Sequence, residues 1–204
     1  MLEVSGLKLP NGVMVSFKLE VGAIHSLTGA NGSGKSLLLK SLALLTQTSW
    51  RRLSFHGASV ESLSAQEWRK MILYVPPILL DTAGTVASYA LLPLNFKIQQ
   101  TNIPEASSWS KLKDLNLWER DINKISSGEK QLVQLIRALA YKPKLLLLDE
   151  SFGQMDPART ALSEALLKDY VAQAGSALVV THDALQALRL EGRSLSFSDL
   201  VEAT

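Results

Sequence analysis

Residues 29–36, GANGSGKS, place three glycines, an asparagine and two serines immediately before the apolar run LLLKSLALL. Ordering glycine costs more backbone entropy than ordering any other residue, so a cluster of them needs a geometric reason. A surface turn is one such reason, because Gly, Asn and Ser are the common turn residues. The other is a loop, Gly29, Ala30, Asn31, Gly32, Ser33, Gly34, Lys35 and Ser36, whose backbone amides close around phosphate at a helix N-terminus. Gly29, Gly34, Lys35 and Ser36 fit the spacing GxxxxGK[ST]. In that reading Lys35 reaches the β- and γ-phosphates as a mobile point charge, and the Ser36 hydroxyl ligates Mg²⁺.

A second cluster is KLLLLDES, where Asp149 and Glu150 follow the most hydrophobic run in the chain. Two adjacent acids are often no more than a solvated strand end. Beside a phosphate loop they have distinct uses: Asp149 holds Mg²⁺ through its water shell, and Glu150 polarises an attacking water as general base. The run ALVVTHD brings His182 to the end of another apolar segment. A lone histidine there would be incidental; in this company it is a candidate for contact with the γ-phosphate.

These residues need a scaffold that gathers them at one edge. AIHSLT (23–28) reads as a strand and SLLLKSLALL (36–45) as a helix, the setting that a phosphate loop demands. MILYV (71–75), KLLLLD (144–149) and ALVVTH (177–182) are almost continuously apolar, as strands buried on both faces of a parallel sheet must be. GEKQLVQLIRALAY, stopped at Pro143, and PARTALSEALLKDYVAQ, stopped at Gly175, read as the connecting helices. VMVSFKLE (13–20) and RRLSFHG (51–57) alternate like half-exposed strands, which predicts antiparallel sheet in the N-terminal half. Residues 78 to about 125, with Pro93, Pro104 and a three-residue spacing of Trp109, Leu112 and Leu115, read as a small helical insert. In open α/β sheets, ligands bind beyond the carboxyl ends of the strands, where all three motifs fall.

Composition narrows the function classes. The 204 residues are 47% hydrophobic and 20% charged, the balance of an ordinary globular domain with a full core. A net charge of +2 with no dense Lys/Arg tract leaves extended nucleic-acid binding without an electrostatic footprint. With no cysteine, thiolate metal sites and cysteine nucleophiles are excluded, and three scattered histidines make no metal cage. The opening MLEVSGLKLP lacks the pattern of a signal peptide, and no apolar run approaches a bilayer span, so a cytoplasmic location is expected.

The order of motifs resembles the nucleotide-binding subunit of ABC transporters. The family signature LSGGQ is similar to ISSGE at Ile125, Ser126, Ser127, Gly128 and Glu129. The match also takes in GANGSGKS, LLLLDE, GQMD ending in Asp156, and VVTHD, and so spans the whole chain. The resemblance implies a P-loop α/β fold of mostly parallel sheet, with an N-terminal antiparallel β-subdomain and a small helical subdomain. It implies one domain over 1–204, with 1–77 and 136–204 as core and 78–135 as the helical part. ATP and Mg²⁺ are then the expected ligands. Ser126, Ser127 and Gly128 would begin a helix whose free amides form a second anion site, closing in a head-to-tail dimer over ATP held by a twin or related subunit. Transmembrane permease subunits become the expected partners, with the chain peripheral on the cytoplasmic face of the inner membrane. TVASYALLP and SGEKQLVQLIRAL look similar to small bacterial exporters of the iron-export and cytochrome c biogenesis types.

Two departures from the family pattern stand out. The glutamine that usually follows a strand such as LYVP, contacting Mg²⁺ and the membrane subunit, is Pro77 here. No aromatic precedes VSF to stack on adenine, leaving Leu9 and Pro10 as the apolar surface for the base. Two other classes compete. A soluble ABC-type ATPase acting on DNA or ribosomes usually adds a coiled coil, zinc cysteines or a second cassette, none of which these residues contain. A P-loop kinase would explain GANGSGKS but neither ISSGE nor VVTHD.

Overall fold

The computed structural model describes residues 1–77, 83–92 and 109–202. The strands are β1 (Leu2–Lys8), β2 (Met14–Leu19), β3 (Ile24–Thr28), β4 (Arg52–Phe55), β5 (Ala58–Ser59), β6 (Ile72–Val75), β7 (Leu145–Asp149), β8 (Ala177–Val180) and β9 (Arg193–Ser196). The helices are α1 (Lys35–Leu42), α2 (Ala65–Met71), α3 (Val86–Leu91), α4 (Ser110–Asp114), α5 (Ser127–Ala140), α6 (Pro157–Ala172), α7 (Ala184–Arg189) and α8 (Phe197–Leu200).

Five strands form a parallel sheet in the order β6-β7-β8-β3-β9, and four form an antiparallel sheet in the order β2-β1-β4-β5. Among the described residues the fold is therefore α/β, with two sheets. Side chains alternate across a strand, so β7 serves two cores at once. Leu145 and Leu147 pack with α1 and the antiparallel sheet, whereas Leu146 and Leu148 pack with Leu135 of α5 and Leu167 of α6. That double burial is why this segment reads as an unbroken apolar run. At about 25 cal/mol per Å² of apolar area removed from water, four leucines buried this way anchor the strand that carries the acids.

A third cluster joins Val86 and Ala90 of α3, Leu112 of α4 with Trp109 at its N-cap, and Leu132 and Ile136 of α5. Leu115 does not share it: α4 ends at Asp114, Asn116 turns through φ 54°, and Leu117 takes the buried place while Leu115 is exposed. Pro93, Pro104 and the rest of 78–82 and 93–108 lie outside the described residues.

The antiparallel sheet contains a strand that sequence patterning missed. β1 alternates on either side of Gly6, but its register shifts between Val4 and Leu7, which breaks the period of two. Helix α2 was also missed, although Ser64 and Glu67 form a reciprocal capping box at its start. Gly175 ends the α6 segment for a different reason from the one expected. Ala174 occupies the left-handed position, and Gly175 is needed because a Cβ there would lie 2.4 Å from the Tyr170 ring.

Candidate functional site

The phosphate-loop segment leaves β3 at Thr28 and enters α1 at Lys35. Gly34 caps the helix at φ 114°, a conformation that favours glycine, and a Cβ there would crowd the Phe197 ring at 3.2 Å. Lys35 is buried, and its ammonium donates to the carbonyls of Gly29 and Ala30, each at 2.8 Å. An ammonium has three donors, so one remains for an anion. The Ser33 hydroxyl is buried without a partner in the same loop. A pre-shaped loop, a helix N-terminus and a folded-in cation together favour negative charge here.

At the end of β7, Asp149 is 2% exposed and shares its two oxygens between two elements. The Ser36 hydroxyl donates to Oδ1 at 2.9 Å, and the Tyr74 hydroxyl donates to Oδ2 at 2.8 Å. Burial, reinforced by this bond and by the carboxylate charge, raises the Tyr74 pKa far above the usual phenol value and keeps the group a donor. Tyr74 escaped the sequence reading because it sits inside an apolar strand where an aromatic looks like core.

Glu150 departs from the strand with φ 48°, a left-handed conformation that costs a non-glycine residue on the order of 1 kcal/mol or more. Its amide still donates to the Val180 carbonyl at 3.2 Å, while its carboxylate stands 3.0 Å from His182 Nε2. Both side chains are solvent-accessible. The expected edge of Ser36, Asp149, Glu150 and His182 is thus assembled, with His182 bonded to the acid. Behind this pair a cavity of about 770 Å³ runs between α6 and α7, where Arg189 holds the buried Glu164 through paired hydrogen bonds.

Ser126 and Ser127 are exposed at the start of α5, and among the described residues no hydrogen bond links them or Gly128 to the phosphate loop. Ser126 caps the helix: its hydroxyl accepts from the Glu129 amide at 3.2 Å, and the Glu129 carboxylate accepts from the Ser126 amide at 2.7 Å. Glu129 also accepts from Arg120 at 3.0 Å and from Arg159 at 3.1 Å. Burial pulls its pKa up, but the Ser126 donors and Arg120 outweigh burial and hold it below the usual carboxylate value. Asp156 caps α6 through the Arg159 amide at 2.9 Å and pairs with the same guanidinium, so Arg159 ties Asp156 to Glu129. The backbone bond from Arg159 leads the causes that lower the Asp156 pKa. Gly128 is fixed by contact: a Cβ there would lie 2.6 Å from the Gln154 carbonyl oxygen. Neither arginine was singled out from the sequence.

One expectation is corrected. Leu9 is 2% exposed and belongs to the core around β1 and α1, so it offers no surface to a base; Pro10 is exposed. Strand β1 draws Leu9 inward, since the Leu9 amide closes a tight turn onto the Val13 carbonyl at 2.8 Å.

A family model described as ABC transporter matches residues 13–153. Putrescine transport ATP-binding protein PotG of Escherichia coli is 31% identical over 194 residues, covering 88% of this chain and 48% of its own length. Probable iron export ATP-binding protein FetA of Escherichia coli is 30% identical over 172 residues, covering 83% of this chain and 76% of its own. The chain spans about half the length of several curated relatives it matches. A solved ATP binding subunit of an ABC transporter superposes with a TM-score of 0.78 at 22% identity, covering 93% of this chain and 82% of that one. The structure of cbiO1 from Clostridium perfringens, part of the ABC transporter complex cbiONQ, gives a TM-score of 0.72 at 21% identity, covering 89% of this chain and 78% of that one. These two likenesses concern the fold. With the family model over most of the chain, and FetA matched over most of both lengths, the chain belongs to the ABC transporter family, among its ATP-binding proteins.

Proposed function

We propose that this chain binds ATP with Mg²⁺ and hydrolyses it, driving transport through transmembrane permease subunits at the cytoplasmic face of the inner membrane. The observation that carries the reading is the Ser36–Asp149 hydrogen bond, which brings the loop and the acidic strand end into one site beside Glu150. Asp149 is a buried carboxylate whose two hydrogen-bond partners are neutral hydroxyls. Buried charges are ordinarily paired or bound to metal, so this donor set fits a divalent cation. Among the described residues no group of three or more acids and histidines forms a metal site alone, which suits an ion that completes its shell on nucleotide and water. Ser36 and Asp149 would hold Mg²⁺, which when bound neutralises charge on the phosphate oxygens.

The chain's own residues do the rest. Lys35 and the backbone amides of residues 31–36 grip the phosphates, in the loop that Gly29 and Ala30 open. Glu150, oriented by His182, accepts a proton as a water oxygen bonds to the γ-phosphorus. The bond from that phosphorus to the bridging oxygen breaks, and ADP and inorganic phosphate leave. Ser126, Ser127, Gly128 and Asp156 act across a head-to-tail homodimer, or a heterodimer with a related subunit, closing on the other subunit's nucleotide. In this reading residues 1–204 are one domain, with 1–77 and 136–204 as core and 78–135 as the helical part. The cluster of Val86, Trp109 and Leu112 supports a separate helical part, and it runs on through Leu132 to Ile136 of α5. Among the described residues no helix is long and apolar enough to cross a membrane; in this reading the permease subunits make the crossing.

The test is phosphate release from ATP by the purified chain, together with nucleotide titration of wild type and Lys35→Ala. Losing a charged hydrogen bond costs about 1.5–3 kcal/mol, so Lys35→Ala weakens ATP binding about ten- to a hundredfold. Unchanged affinity, or phosphate transfer to an acceptor in place of release, contradicts the reading.

A further inference from the structure

Gln131, on the first turns of α5, is 4% exposed and spends both ends of its amide on three residues, one after β6 and two after β7. Its Nε2 donates to the Pro77 carbonyl at 3.2 Å and to the Glu150 carbonyl at 3.3 Å. Its Oε1 accepts from the Gln154 amide at 3.0 Å. Both donors of the amide are thereby used, and the acceptor is engaged.

Each contact falls where the backbone needs support. Glu150 sits at φ 48°, and a non-glycine residue persists there only when its surroundings over-determine it. On the far side of that strained residue, the carbonyl is held by Gln131 and by the Gly153 amide at 3.3 Å. Pro77 has no amide hydrogen and no polar side chain, so its carbonyl is its one handle, and Gln131 takes it. Gln154 lies beside Gly128, whose missing Cβ lets the two backbones meet.

We propose that Gln131 is a positioning residue for ATP hydrolysis: its side-chain amide braces the left-handed Glu150 and ties it to the loop after β6 and to the segment leading to Asp156. The inference rests on the ATPase reading above. Gln131 touches no reacting atom in this scheme; it fixes the backbone from which the Glu150 carboxylate reaches His182. A brace of this kind affects the rate once nucleotide is bound and leaves the phosphate loop alone, because none of its three partners belongs to residues 29–36.

Two substitutions test it. Gln131→Glu keeps an acceptor for the Gln154 amide but turns a carboxylate toward two carbonyls, and Gln131→Met removes all three bonds at similar volume. ATP turnover and equilibrium ATP affinity are measured for both beside wild type, with thermal melting to confirm folding. Misplacement by about 1 Å can cost on the order of a hundredfold in rate, so kcat is expected to fall about ten- to a hundredfold. KM and ATP affinity are expected to stay within about threefold, the pattern of an interaction used only in the chemical step. If one variant does not fold, the other decides. A folded variant with wild-type kcat overturns the inference, as does one whose loss lies wholly in ATP affinity. A wild-type chain that neither binds nor hydrolyses ATP overturns the ATPase reading itself, and the inference with it.

Discussion

The Ser36 hydroxyl donates to Asp149 Oδ1 at 2.9 Å across 113 residues of sequence. That bond joins the first turn of α1 to the end of β7, and the Tyr74 hydroxyl completes it from β6. Three neighbouring elements therefore converge on one buried carboxylate.

Removing the charge at that point should uncouple nucleotide binding from metal. Asp149→Asn preserves the size of the side chain but not its charge. Calorimetric titration with ATP is expected to show Mg²⁺-dependent affinity falling about tenfold or more, given about 1.5–3 kcal/mol for charged hydrogen bonds. Binding without Mg²⁺ should change little. An Asp149→Asn chain that keeps the full Mg²⁺ effect would remove Asp149 from the metal site.

Gly128 and Ser127 are neighbours with opposite tolerance. Gly128→Ala puts a Cβ 2.6 Å from the Gln154 oxygen, so a backbone must shift. Overpacking of this kind costs about 1–3 kcal/mol, and each kcal/mol lowers Tm by about 2–4 °C in a chain of this size. Ser127→Gly, at an exposed position, is expected within about 1 kcal/mol of wild type. Thermal melting of both variants checks the pair; a Gly128→Ala chain as stable as wild type would mean the two backbones are not in contact.

Glu129 gives the fold a predictable acid response. Its pKa is held below the ordinary 4.5 in the folded chain. The carboxylate therefore contributes stability that is complete above that ordinary value and is lost as pH falls through the lower folded one. Glu129→Gln can still cap the helix but cannot hold the charge of Arg120 and Arg159. The wild-type advantage in Tm, about 2–4 °C for each kcal/mol, is expected at pH 7 and should shrink below about pH 4.5. A constant gap across that range would show that the charge of Glu129 contributes nothing.

The phosphate loop, the β7 acids and the βαβ core were legible because each has a local sequence cause: glycine spacing, a doubly buried leucine run, and helices with clear stops. The antiparallel sheet was half legible. β2 and β4 alternate, while β1 loses its period where the register shifts around Gly6. Tyr74 and Gln131 were illegible for opposite reasons. Tyr74 is an aromatic in an apolar strand, where burial explains it without function, and Gln131 is a polar residue on a helix where exposure would have explained it. Only the fold brings Pro77, Glu150 and Gln154 around that amide, from 54, 19 and 23 residues away. Leu9 misled because its neighbour Pro10 is exposed, while the turn closing at Leu9 tucks its side chain into the core.

The head-to-tail grip on ATP is tested most directly by the mass in solution of Glu150→Gln with ATP and Mg²⁺, read by light scattering on a size-exclusion column. General-base catalysis is worth about a hundred- to ten-thousandfold, so this variant should hold ATP unhydrolysed long enough to be measured. The predicted result is a species of twice the 22.3 kDa of one chain with ATP, and a single-chain mass with ADP. A single-chain mass at saturating ATP would contradict closure of the homodimer on ATP.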